Sequence, residues 1–118
     1  MALEHHHGSC QCGAVKFEVD VDLSSTLTCN CSRCQRLGSV LAFTPAANFN
    51  LQQGESNLTE YLFNRMSIHH LFCKTCGIES FLRTKGKDGT DMVAVNANCL
   101  EGINPRDLKS KHVDGRSW

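Results

Sequence analysis

The clearest alternation in the chain is Val15-Lys16-Phe17-Glu18-Val19-Asp20-Val21. Apolar and polar positions exchange at every step, which is the period of a strand with one face in a core and the other in water. Gly13 precedes it, and residues 22–25 read as the turn that ends it. Residues 40–43 are a short apolar run stopped by Pro45, and residues 49–51 a brief extended piece before the turn Gln53-Gly54-Glu55. Residues 58–63 and 68–72 predict two more strands. In the first, Leu58, Glu60 and Leu62 alternate with Thr59, Tyr61 and Phe63, so both faces are expected to be covered. Residues 78–83 and 92–97 flank a charged, glycine-containing loop and predict a hairpin. Helical signal is scarce. Asn104-Pro105-Arg106-Asp107 offers an N-cap, a proline at the first position and an acid in the first turn, predicting a short helix to Lys109. A second helical turn is expected from Cys34 to Leu37. The pattern as a whole predicts one mainly β domain over residues 1–118, with residues 1–7 as a flexible N-terminus.

A chain of 118 residues buries roughly two-thirds of its unfolded surface, a modest core. Lys plus Arg and Asp plus Glu number 12 each, and no basic cluster stands out, so a nucleic-acid partner is not expected. No run approaches the ~20 apolar residues of a membrane span. Residues 1–9 lack the apolar segment of a secretory signal, and His5, His6 and His7 receive no role. A cytoplasmic location is expected, where thiols serve as metal ligands or stay reduced rather than forming disulfides.

The thiols change the picture most. Seven of the eight cysteines fall into three clusters: Cys10 and Cys12, then Cys29, Cys31 and Cys34, then Cys73 and Cys76. Tetrahedral zinc takes four thiolates in a structural site and three where a position stays open for chemistry. Seven divides into four plus three, so two Zn²⁺ are expected per chain. The two pairs, each followed by a glycine, form a clamp of Cys10, Cys12, Cys73 and Cys76, the glycines letting backbone N–H groups approach the sulfurs. Such a site is worth about 10–16 kcal/mol in zinc-finger peptides. Seven thiolates against two Zn²⁺ add −7 + 4 = −3 to a formal charge of zero.

The triplet Cys29, Cys31 and Cys34 has no neighbouring fourth ligand, which is the open, catalytic pattern. Three thiolates leave zinc electron-rich, better suited to a further sulfur than to activating water. A thiol substrate follows from that ligand set. Backbone N–H groups of residues 32–35 would stabilise a developing oxyanion, and Arg33 and Arg36 would meet anionic substrate groups. Closure of the triplet by Cys99 is the alternative, against Cys99 as a buried small hydrophobe. His69 and His70 point to opposite faces of a strand and are read as structural.

The order GxCxCG, CxCSxC and FCxxCG resembles the glutathione-dependent formaldehyde-activating enzymes and their centromere-protein V relatives. Gly8 to Phe17, Cys29 to Arg36 with Gly38, and His70 to Gly77 carry the resemblance, with weaker support from Gly54-Glu55, Leu58, Tyr61, Val95-Asn96 and Leu100-Glu101-Gly102. It implies a zinc-stapled β-tent of folded antiparallel sheets. It also implies structural zinc on Cys10, Cys12, Cys73 and Cys76, and catalytic zinc on Cys29, Cys31 and Cys34. The family's reaction joins glutathione to formaldehyde as S-hydroxymethylglutathione, a carbon–sulfur lyase run in reverse. A small thiol such as glutathione and an aldehyde are therefore the expected partners. The middle motif usually reads CHC, and Asn30 stands here in place of that histidine. A non-catalytic double-zinc interaction module of the same fold is the alternative reading. Cys99 as a nucleophile, as in methionine-R-sulfoxide reductases, lacks the Arg and Asn that stretch requires.

Overall fold

The computed structural model describes residues 3–117. Two sheets carry the fold. The smaller has the order β1-β2-β5, from β1 (Glu4–Ser9), β2 (Lys16–Val21) and β5 (Phe49–Gln53), all antiparallel. The larger is built from β3 (Leu27–Cys29), β4 (Leu41–Pro45), β6 (Leu58–Tyr61), β7 (His69–Cys73), β8 (Phe81–Lys85), β9 (Asp91–Asn96) and β10 (Lys111–Val113). Its order is β10-β3-β4-β9-β8-β7-β6, antiparallel except where β10 runs parallel to β3. One helix of six residues, α1 (Ser32–Leu37), follows β3.

The alternation in β2 does what its period predicts: Phe17, Val19 and Val21 are buried and the residues between them are not. They pack on one face of the large sheet, where Phe81, Val93 and Val95 are also buried. The rings of Phe17, Phe49 and Phe81 meet at centroid distances of 4.7–6.0 Å. Full burial of each such side chain is worth about 1.5–3 kcal/mol. The other face of the large sheet carries Leu41, Leu82 and Ala94, and against these lie Cys29 and Cys34. The large sheet thus has a core on one side and the cysteine triplet on the other.

Several expectations need correction. The N-terminal residues from Glu4 onward are not a flexible tail; they pair residue for residue with β2, from Glu4 opposite Val21 to Ser9 opposite Lys16. An edge strand can be polar because backbone hydrogen bonds hold it, and His5 also contacts Glu18 and Asp20. Residues 1 and 2 lie outside the described residues. Glu60 and Tyr61 are exposed, since β6 is the sheet's edge and its faces are not both covered. The 104–109 helix is only a 3-10 turn, Pro105–Asp107, capped by the Asn104 side chain accepting from the Arg106 N–H. Pro45 lies within β4 rather than beyond it. The three-residue strands β3 and β10 went unpredicted.

Candidate metal centres and cleft

Cys10 and Cys12 lie in the turn between β1 and β2, and Cys73 and Cys76 at the end of β7 and in the turn after it. Chain positions 61 residues apart meet there, with Cys12 Sγ 3.7 Å from Cys73 Sγ and also 3.7 Å from Cys10 Sγ. All four sulfurs lie within 4.8 Å of one another. Zinc–sulfur bonds of about 2.3 Å in a tetrahedron place sulfurs about 3.8 Å apart, so this donor set fits zinc. Backbone N–H groups of Val15 and Thr75 donate to the sulfurs of Cys10 and Cys73, and Asn57 Nδ2 donates to Cys73 Sγ. Gly13 and Gly77 follow the pairs at φ +82° and +79°. Open space surrounds Gly77, and a Cβ on Gly13 would meet only the end of the Lys16 side chain at 3.7 Å. The positive φ, rather than a clash with sulfur, is what calls for glycine.

The sulfurs do not share one acidity. Backbone N–H donation around Cys76 and Thr75 outweighs burial and brings the Cys73 thiol down to about 6. Cys12 accepts from the Ala14 backbone, but burial and the surrounding thiols push it up to about 11. Cys99 is in neither cluster. Burial pushes its thiol up to about 11, helped by the charges of Cys10, Cys76 and Glu79.

The triplet is a local structure. Cys29 ends β3, Cys31 caps α1 and Cys34 lies in its first turn, the three sulfurs within 4.8 Å of one another. Among the described residues no fourth ligand atom joins them. Three soft donors that converge in this way suit zinc with a position left open. The Cys31 N–H donates to Cys29 Sγ and the Cys34 N–H to Cys31 Sγ. The Gln35 N–H is taken by the Cys31 carbonyl. The amides of Cys34 and Gln35 are therefore committed to sulfur and helix rather than to an oxyanion. Burial opposes ionisation of Cys31, yet donation from Cys34 and from the Arg33 N–H holds its thiol below the ordinary value. Burial, with Cys31 beside it, pushes Cys34 up to about 12.

The C-terminal segment closes over one side of the triplet. Asn30 Nδ2 donates to Asp114 Oδ1, the Arg116 N–H donates to Asn30 Oδ1, and Arg116 Nε donates to the Asn30 carbonyl. Gly115 is thereby pressed so close that a Cβ there would stand 2.3 Å from Cys29 Sγ. The position where the resemblance expects histidine is thus a latch.

The three cysteines line a cleft of about 560 Å³. His70 lines it too, although its side chain is only 4% exposed. Glu79, equally buried, takes both Arg33 Nε (3.0 Å) and Nη2 (2.8 Å) on Oε1 and faces His70 Nδ1 with Oε2 at 3.4 Å. Arg33 also stacks 4.8 Å over the Tyr61 ring. Arg33 is thus engaged in a buried ion pair, and Arg36 bonds the Ser32 carbonyl within its own helix. Both border a shallower hollow with Tyr61 and Phe63. The cations on the cysteine-lined cleft are instead Arg65, Lys85 and Lys87. His69 is exposed and pairs with Glu60. His70, expected to be structural, lines the cleft, and the signal that the sequence offers for Glu79 is an acid beside the apolar residues Ile78, Phe81 and Leu82.

A family model described as glutathione-dependent formaldehyde-activating enzyme matches residues 5–113. The chain is also similar to a Rhodobacter sphaeroides protein of known crystal structure. Identity is 34%, the TM-score 0.81, and the match covers 91% of this chain and 99% of the other. Among the described residues no helix is long and apolar enough to cross a membrane.

Proposed function

Since the chain belongs to the glutathione-dependent formaldehyde-activating enzyme family, we propose that it is a zinc-dependent carbon–sulfur lyase acting on a thiol–aldehyde adduct, of which S-hydroxymethylglutathione is the family's example. The observation that carries this reading is the opening of Cys29, Cys31 and Cys34 onto a cleft, with no fourth ligand closing the triplet among the described residues. Cys29, Cys31 and Cys34 hold the catalytic ion, and Cys10, Cys12, Cys73 and Cys76 the structural one. When bound, the catalytic zinc offers a soft position that keeps a substrate thiol ionised near neutral pH.

The chain's own groups supply the rest. In the lyase direction the carbon–sulfur bond breaks with its electron pair on sulfur, the carbonyl forms, and the adduct's hydroxyl gives up its proton. His70 is the group placed to receive it. Glu79 takes Arg33 on Oε1 and faces His70 Nδ1 with Oε2, an arrangement that favours the tautomer with its proton on Nδ1 and leaves Nε2 as the acceptor. In the synthetic direction the same nitrogen returns the proton to the new hydroxyl. Leu27, Leu41 and Leu82 keep water from that side of the cleft. Arg65 and Lys87, at its exposed rim, meet the thiol's carboxylates.

The test is a cobalt-loaded protein titrated with glutathione. The sulfur-to-metal charge-transfer band should grow, Cys31→Ser should abolish the growth, and S-hydroxymethylglutathione should be formed and cleaved by the zinc form. A spectrum indifferent to thiols, alongside ester or amide hydrolysis, refutes the reading.

A further inference from the structure

The cleft is far larger and more apolar than a one-carbon aldehyde requires. A one-carbon group needs little of a cleft of about 560 Å³, even when part of the thiol also lies in it. Its walls are Leu27, Leu41, Phe43, Ile68, Leu82 and Met92. Leu41 and Leu82 are buried at its floor with Cys29, Cys34 and His70, whereas Arg65, Lys85 and Lys87 are exposed at its mouth. Phe43 is 41% exposed, a large ring left in water on the wall of the same cleft.

That division of polarity constrains how an adduct lies. Carboxylates on a leucine and isoleucine wall lose their hydration without a partner, so the charged arms of a peptide thiol belong at the mouth. There Lys85 is paired with Asp91 at 3.4 Å, while Arg65 and Lys87 form no ion pair among the described residues. With the sulfur at the triplet and the carboxylates at the mouth, the apolar wall is left to the group on the far side of the carbon–sulfur bond. That group is the aldehyde's substituent.

We infer that the preferred adduct carries an apolar aldehyde substituent of several carbons, alkyl or aryl, rather than the hydrogen of formaldehyde. The inference rests on the thiol-adduct reading of the triplet. The reaction balances without a co-reactant: R–CH(OH)–S–R′ becomes R–CHO and HS–R′. The carbon–sulfur pair stays with sulfur, and the hydroxyl proton ends on the thiol product. Specificity then comes from burial, since each fully buried methylene multiplies affinity about fourfold. Five added carbons, each half buried, give about 30-fold.

Binding of unreactive thioethers tests this apart from turnover. S-hexylglutathione should bind the zinc-loaded protein about 30-fold more tightly than S-methylglutathione by titration calorimetry, and the hexanal adduct should exceed the formaldehyde adduct by a similar factor in kcat/KM. Phe43→Asp, at an exposed position, should cut the hexyl-to-methyl ratio below about threefold in a protein whose melting confirms its fold. Equal affinity for the two thioethers, or a preference for the formaldehyde adduct, overturns the inference and leaves the thiol-site reading standing. A protein that binds neither thioether and whose cobalt spectrum ignores free glutathione overturns both.

Discussion

Replacing Gly115 with alanine tests whether the C-terminal segment belongs to the triplet. The added Cβ would stand 2.3 Å from Cys29 Sγ and 3.3 Å from Cys31 Cβ. Comfortable contacts between such atoms begin near ~3.5 Å, so one partner must retreat by about 1 Å. Cys29 is buried at the end of β3 and is backed by Leu41 and Leu82, which resist. The segment is easier to move: β10 is three residues long and the latch bonds to Asn30 are exposed. Each such bond is worth about 0.5–1.5 kcal/mol net, and overpacking costs about 1–3 kcal/mol. The two are comparable, so the latch should open while the core stays packed. Gly115→Ala should lower stability by about 1–2 kcal/mol in urea melts, raise the alkylation rate of Cys29, and speed loss of the triplet metal to a mild chelator, the clamp metal staying in place. Asn30→Ala, which cuts the latch without adding bulk, should reproduce the faster metal loss. Unchanged stability, alkylation and metal release in Gly115→Ala would show that the close approach carries no consequence.

Three further outcomes follow from the same geometry. Cys73→Ser should cost the clamp its metal and unfold the chain, read by zinc content and circular dichroism; a variant that melts like the parent with full zinc refutes the clamp. With the triplet metal stripped and the clamp intact, iodoacetamide at neutral pH should label Cys31, whose thiol is held below its ordinary value, before Cys34, pushed up to about 12; mass spectrometry of timed digests reads the order, and the reverse order contradicts the assigned hydrogen bonding. His70→Gln should lower kcat about 10²–10⁴-fold while leaving the thiol-dependent cobalt band, whereas full activity would remove His70 from proton transfer.

The division of cysteines into four and three could be read from spacing because ligand geometry is local: two or three thiols within six residues already define a half-site or a site. The alternation in β2 and the hairpin of β8 and β9 were legible for the same reason. What escaped were features made by distant pairing. β3 and β10 have only three residues each, too few to show a period, and they meet across 84 positions, as Thr28 and His112 do. The strand status of Glu4–Ser9 rests on backbone bonds to β2, so its polar side chains hid it. The Arg33–Glu79–His70 array joins a helix, a strand and the irregular segment before β8, and no spacing rule links them. Arg33 looked free because sequence shows a cation's neighbours along the chain, not the buried carboxylate 46 positions away.

The two cysteine clusters differ most in what they tie together. Cys12 and Cys73 join segments 61 residues apart, linking the turn of the small sheet to β7 of the large one. In the chain-entropy treatment of cross-links, a loop of that length is worth about 4 kcal/mol, against about 2 kcal/mol for a loop of about five residues such as that from Cys29 to Cys34. The clamp also fixes how the sheets face each other, because the core of Phe17, Val19 and Val21 lies between the strands it joins. Loss of an ion held there would release that whole arrangement. The triplet constrains only β3 and the first turn of α1, and the apolar residues behind it, Leu41, Leu82 and Ala94, are already held by β4, β8 and β9. An ion there adds little to the fold, so its ligand field can be left incomplete. An open coordination position is tolerable only at a site the fold can do without, and the cleft lies beside that site.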